Sequence, residues 1–180
     1  MRLVLDACVL FPTVMREMLV GAAQAGVFVP LWSPRILEEW VRATHRLGEG
    51  APVIAKGEAV LMDAQFPQAS ITPSQDLAMT LSLPDPNDTH VLAAALEGRA
   101  DGIVTKNARD FPTRTLSRYG LILRDPDTLL LEAHHEGFAI RAIADQMAAR
   151  AKAAGGEGAL RPLLKRTGLP RLAKVLSVTP

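Results

Sequence analysis

Cysteine is nearly absent: Cys8 is the only one in 180 residues, which excludes an internal disulfide framework and a cysteine-rich zinc site. That usage fits a reducing compartment. Aromatic residues are scarce at 4%, too few for a platform that stacks successive bases of a single strand. No apolar run approaches the ~20 residues needed to cross a bilayer. Met1 to Leu5 meets Asp6 at once, so no signal-peptide core forms. A cytoplasmic protein without a membrane association is expected. Net charge is also small, at +1, but it conceals a split. Residues 1–140 carry 12 Lys/Arg and 17 Asp/Glu, a balance of −5, and residues 141–180 carry 8 and 2, a balance of +6. An acidic body is followed by a basic tail.

What is present is ordinary for a globular chain: 48% hydrophobic and 22% charged residues. A chain of this length buries roughly 70% of its unfolded surface and needs no metal or disulfide staple to hold a core. Arg2 to Ala7 reads as a strand covered on both faces. Pro12 to Ala25 reads as a helix, and Val27 to Trp32 as a strand despite Pro30. Ser33-Pro34 is an N-cap followed by proline at the first helical position, opening a helix to about Leu47. Pro52 to Ala64 and a short segment from Gln75 are helical in pattern. Asp85-Pro86 repeats the cap-plus-proline start of a helix reaching Glu97 or Gly98. Gly102 to Thr105 and Tyr119 to Leu123 are further strands, and Asp125-Pro126 opens another helix. Ala139 to Ala154 is helical, and Leu160 to Val175 holds one or two basic helices broken near Gly168-Leu169-Pro170. The alternation of strand and helix predicts an α/β body with a parallel sheet over residues 1–135 and a helical extension over 136–180.

Several carboxylates stand where chemistry collects. Asp6 ends the first strand, and ligands gather beyond the carboxyl ends of parallel strands. With Asp85 as N-cap, Asp88 is at N3, where an acid can complete a capping box. Asp88 also shares the face of Val91, Leu92 and Ala95, which should pack on the sheet. An acid aimed that way is costly unless paired, hydrogen-bonded or metal-bound. Glu38 and Glu39 lie about 60° beyond opposite edges of their helix's apolar arc at ~100° per residue, so periodicity does not choose between them. Asp110 falls beyond the strand that ends at Thr105, on the side of Asp6, together with Thr105 and Asn107. Asp101 serves a turn at the other end, and Asp85 reads as a cap. Clustered carboxylates repel unless a divalent cation compensates. An oxygen-only set suits Mg²⁺ or Mn²⁺ better than Zn²⁺. The scattered histidines His45, His90, His134 and His135 add no zinc pattern.

The order of these segments carries a resemblance. Leu3-Val4-Leu5-Asp6-Ala7, then Ser33 to Trp40, then Asp85 to Ala95, then Ile103 to Phe111 together resemble the PIN-domain family of metal-dependent ribonucleases, especially the VapC-like toxins. The resemblance covers roughly residues 2–125. It implies a three-layer α/β/α domain with a short parallel sheet, and hydrolysis of RNA phosphodiesters with Mg²⁺ or Mn²⁺. The family's acids map to Asp6, Glu39, Asp88 and Asp110, with Glu39 favoured over Glu38 because an apolar residue, Trp40, follows it. Thr105 and Asn107 are expected to orient the substrate. Asn107 stands where some members have an acid, which makes the fourth position the least conventional. The resemblance also implies a small antitoxin protein as partner and a homodimer.

Two readings compete over the same residues. In the second, the chain is a non-catalytic PIN-like module that binds protein or RNA, and its acidic cleft only caps helices or receives a basic peptide. The tail adds its own question. Arg161, Lys165, Arg166, Arg171 and Lys174 recur at helical intervals, with leucines that would hold the segment in place. Lys165, Arg166, Arg171 and Lys174 are expected to contact the RNA backbone, the alternative being a solvated face on a docked helix.

Overall fold

The computed structural model describes residues 1–156 and 158–177. Strand β1 (Arg2–Leu5) leads into a one-turn helix α1 (Ala7–Leu10), then α2 (Thr13–Gln24) and β2 (Val29–Leu31). Helix α3 (Pro34–Ala43) tightens into a 3₁₀ turn at Thr44–Leu47 and is followed by α4 (Ala51–Gln65) and α5 (Gln75–Thr80). A 3₁₀ turn at Pro86–Asp88 precedes α6 (Thr89–Glu97), β3 (Gly102–Val104), α7 (Thr113–Ser117) and β4 (Ile122–Arg124). Helices α8 (Pro126–His135), α9 (Ile140–Ala153), α10 (Leu160–Arg166) and α11 (Pro170–Leu176) follow. Among the described residues no helix is long and apolar enough to cross a membrane.

Two compact units result. One joins Met1–Phe11 to Val29–Arg124; the other joins Pro12–Phe28 to the chain from Asp125 onward. The partition is therefore discontinuous, with α2 in the second unit, whereas the boundary expected from sequence lies at residue 135.

The first unit holds a parallel sheet in the order β2-β1-β3-β4. Leu3, Val4 and Leu5 are all fully buried, so both faces of β1 are covered, as an unalternating apolar strand requires. Pro30 is tolerated because β2 is the edge strand, where one side needs no ladder donor. Helix α6 packs on β1 and β3 through Val91, Leu92 and a run of alanines, all fully buried. Ser33 caps α3 as expected, its hydroxyl accepting the Ile36 N–H at 3.2 Å. The fourth strand differs from expectation. Leu121 follows Gly120, whose φ of +70° ends α7 in a turn, so pairing with β3 starts only at Ile122. The architecture is the expected one: a central parallel sheet flanked by helices, with a C-terminal helical extension.

In the second unit the tail is fixed by a buried acid. Asp127 accepts the N–H groups of Arg171 at 2.8 Å and Leu172 at 3.0 Å, satisfying the first turn of α11. Leu163, Leu164, Leu169, Leu172 and Leu176 are buried.

Candidate metal centre

Strand order places the switch point between β1 and β3. From β1 the chain crosses to β2 on one side, and β3 lies on the other. Asp6 and Thr105 emerge from the carboxyl ends of these two central strands, where α/β sheets bind ligands. The backbone ties them together, the Asp6 N–H donating to the Val104 carbonyl at 3.1 Å. The Thr105 hydroxyl donates to Asp6 Oδ2 at 2.6 Å, and Thr105 Oγ1 accepts the Asn107 N–H at 2.9 Å. Asn107 Nδ2 in turn donates to Asp110 Oδ2. A continuous chain of hydrogen bonds thus runs from Asp6 through Thr105 and Asn107 to Asp110.

Asp88 arrives from the helix side. The capping role open to it in sequence is filled by its neighbour: Asp85 Oδ1 accepts the Asn87 N–H at 2.9 Å, and the Asp88 carboxylate caps nothing. Carboxylate oxygens of Asp85, Asp88 and Asp110 all lie within 4.8 Å of one another, and all three residues are half-buried. Asp88 Oδ2 is buried and accepts no hydrogen bond. Burial raises the Asp88 carboxyl to a pKa of about 6, reinforced by the negative charges of Asp6, Asp110 and Asp85 and opposed by His90.

These features fit a divalent cation. A buried carboxylate oxygen without a donor, among like charges, is the situation that a metal relieves. Two oxygens about 2.1 Å from one Mg²⁺ stand at most about 4.2 Å apart, so a small contraction of the cluster would bring all three carboxylates onto one ion. The donor set is all oxygen, which suits Mg²⁺ or Mn²⁺.

The other side chains named in the sequence make contacts of their own. Glu39 does not join it: Glu39 Oε2 is 3.1 Å from His90 Nε2, and Oε1 is 3.5 Å from Arg35 Nε. His90 is buried, its Nδ1 2.6 Å from the Asn87 carbonyl, so that nitrogen carries the proton. The His90–Glu39 contact lacks good hydrogen-bond alignment, since Nε2 satisfies no such bond despite the short distance. Glu38 faces solvent. Asp101 pairs across the other end of the sheet, accepting the Arg2 N–H at 2.6 Å. In the tail, Arg171 Nη1 donates to the Thr128 hydroxyl at 3.1 Å, while Lys165, Arg166 and Lys174 are exposed.

Two neighbours of the cluster carry no sequence signal of their place in it. Asp85 has only the signature of a cap in the sequence, yet it belongs to the cluster; a cap carboxylate has a second oxygen free for other work. Cys8 also stands here, its thiol 3.0 Å from Asp6 Oδ2, with the Lys106 N–H donating to Sγ at 3.3 Å. Burial, then the Asp6 charge, push this thiol up to about 12. It therefore acts as a neutral donor to Asp6 and not as a thiolate nucleophile.

A PIN-domain model matches residues 2–109, more than half of the chain. The chain belongs to the PIN-domain family. The matched span of this PIN domain includes Asp6, Glu39, Asp85, Asp88, Thr105 and Asn107 and stops one residue short of Asp110. Comparison with curated proteins and with solved structures gives no match.

Proposed function

We propose that this PIN domain is a divalent-metal-dependent endoribonuclease, the VapC-like toxin of a toxin–antitoxin pair. The observation that carries the reading is the buried, donor-less oxygen of Asp88 inside a three-aspartate cluster at the sheet's switch point. In this reading Asp88, Asp110 and Asp85 hold Mg²⁺ or Mn²⁺, Asp6 adds its charge beside them, and Glu39 reaches the site only by leaving its contact with His90. A bound ion supplies Lewis-acid stabilisation of phosphoryl charge and lowers the pKa of water. The chain's own residues do the rest. Thr105 and Cys8 hold Asp6 by hydrogen bonds, and Asn107 holds Asp110, which fixes the carboxylates before an ion arrives. Thr105 and Asn107 orient the substrate through these contacts. Lys165, Arg166, Arg171 and Lys174 contact RNA phosphates.

A small antitoxin, a homodimeric state and a cytoplasmic location belong to the same reading and rest on the family resemblance. The test is RNA cleavage by purified protein with Mg²⁺ or Mn²⁺. Cleavage should stop with chelator, and Asp88→Asn should lower the rate by about a hundredfold or more while the fold is kept. RNA that stays full length under all metals would reduce the protein to a binding module.

A further inference from the structure

Helix α4 packs with its smaller face inward. It buries Ala55, Ala59 and Met62, while Val53, Ile54, Val60 and Leu61 are 74%, 66%, 62% and 68% exposed. Gly57 and Ala64 are exposed on the same side. At ~100° per residue these six positions fill an arc of about 120°, and Lys56, Glu58 and Asp63 all fall outside it. A helix on the surface normally turns its charged side to water, and a contiguous run of large apolar side chains there marks an interaction surface. Gly57 adds an independent observation. A Cβ built on it meets no atom within 4 Å among the described residues. Glycine inside a helix destabilises it relative to alanine, and the chain's own packing gives Gly57 no reason to lack a side chain.

The centre of the arc has a spacing that suits a second helix. Ile54, Gly57, Leu61 and Ala64 follow one another at intervals of three, four and three, the a/d spacing of helices that pack along their length. Large and small residues alternate along this seam. When a second α4 is turned end for end, Ile54 stands opposite the partner's Ala64 and Gly57 opposite the partner's Leu61, and the two-fold repeats both pairs. Every large side chain then meets a small residue, with Val53 and Val60 on the flank. A parallel pairing would set Gly57 on Gly57 and Leu61 on Leu61, leaving a gap at one layer and crowding at the next. The face is thus complementary to its own reverse, which is what an isologous dimer requires. The uncharged arc offers nothing to a phosphate backbone or a charged peptide. Its apolar side chains present roughly 500 Å² per copy, about 1,000 Å² over two, where specific interfaces begin.

We propose that α4 is the contact surface of a homodimer, in which two copies of this helix pair antiparallel through Val53, Ile54, Gly57, Val60, Leu61 and Ala64. Gly57 is the hole that receives the partner's Leu61 and lets the two backbones approach. This gives a surface to the homodimeric state named with the nuclease reading. None of its residues belongs to the carboxylate cluster, so the two readings fail separately.

The experiment sediments the full chain from roughly 1 to 100 µM, beside Leu61→Glu, Gly57→Leu and a doubly substituted Ile54→Cys, Ala64→Cys chain. Wild type is expected as a dimer of about 39 kDa, twice the 19.4 kDa of one chain. Leu61→Glu puts a charge into the seam and should weaken the dimer about tenfold or more. Gly57→Leu enlarges the apolar surface and favours the helix, so it would strengthen a merely sticky patch. In this seam it fills the hole for the partner's Leu61, and the same weakening is expected with an unchanged circular dichroism spectrum. Under mild oxidation the double cysteine variant should form an interchain disulfide. Ile54→Cys alone should not, because its two copies stand about 15 Å apart along an antiparallel pair; wild type, which keeps Cys8, is the control. A wild type that stays monomeric at the highest concentration overturns the proposal and leaves the face to a different protein. A dimer untouched by Leu61→Glu, a Gly57→Leu chain that dimerises as tightly as wild type, or a disulfide in Ile54→Cys alone overturns it too. A dimeric wild type that binds no Mn²⁺ and cleaves no RNA would refute the nuclease reading and leave the α4 seam standing.

Discussion

Asp85 and Asp88 stand three residues apart and do different work, and that difference is testable. Asp85 both caps a 3₁₀ turn and lends an oxygen to the cluster. Asn is as good an N-cap as Asp. Asp85→Asn should therefore keep the thermal midpoint within a degree or two while weakening Mn²⁺ binding; a large loss of stability would mean the carboxylate's role is structural. Asp88 behaves oppositely. Its carboxyl, raised from 3.8 to about 6, binds a proton in the folded chain more readily than in the unfolded one. Between about pH 4 and pH 6 the native state thus holds more protons, so metal-free stability falls as pH rises through that window. Asp88→Asn should remove this slope and raise the metal-free melting temperature at pH 7, as followed by circular dichroism. Saturating Mn²⁺ should do the same for wild type by ion binding. The two glutamates give a third comparison. Glu39 leans on His90 and Glu38 faces solvent. Glu39→Gln is expected to slow RNA cleavage, and Glu38→Gln to leave it unchanged, in the same assay.

At the scale of elements, the site depends on how closely β3 and β4 approach. A Cβ added at Gly102 would fall on the Ile122 carbonyl oxygen and 2.7 Å from its Cγ1. Arg124 at the end of β4 accepts the Thr105 N–H at 3.1 Å, so a displaced β4 disturbs the residue that holds Asp6. Gly102→Ala should cost about 1–3 kcal/mol in urea unfolding and lower cleavage as well; an unchanged midpoint would show that the strands yield freely. Such dependencies explain what could be read from sequence. Local signals were legible: the Ser33-Pro34 and Asp125-Pro126 starts, the unalternating Leu3-Val4-Leu5 run, and the break at Gly168-Leu169-Pro170. Each is set by backbone chemistry within a few residues. Helices α1 and α7 were not, because four or five residues carry too little periodicity to register. The place of Asp85 in the cluster was also hidden, since capping is a sufficient local explanation and the second role appears only when Asp110 is brought alongside from another strand end. The place of Cys8 beside Asp6 is hidden likewise, because its other contacts span about 100 positions to Thr105 and Lys106.

For the whole molecule, charge is divided between an acidic body and a basic tail. Lys165, Arg166 and Lys174 are exposed, and Arg171 is bonded to Thr128. Replacing Lys165, Arg166, Arg171 and Lys174 by Gln should weaken RNA affinity and flatten its dependence on salt between roughly 50 and 300 mM. An unchanged affinity and slope would assign the tail to docking alone, through the Asp127 cap and its leucines, and leave the acidic cluster untouched. That cluster is the centre of the account, and binding of the ion tests it more directly than any assay of RNA. Mn²⁺ is titrated calorimetrically into wild type and into Asp88→Asn at pH 7.5, above the pKa near 6 that would otherwise set protons in competition with the metal. Saturable binding by wild type, weakened about tenfold or more in a folded Asp88→Asn, is the predicted result. No saturable heat in wild type, or equal affinity in both proteins, would contradict it.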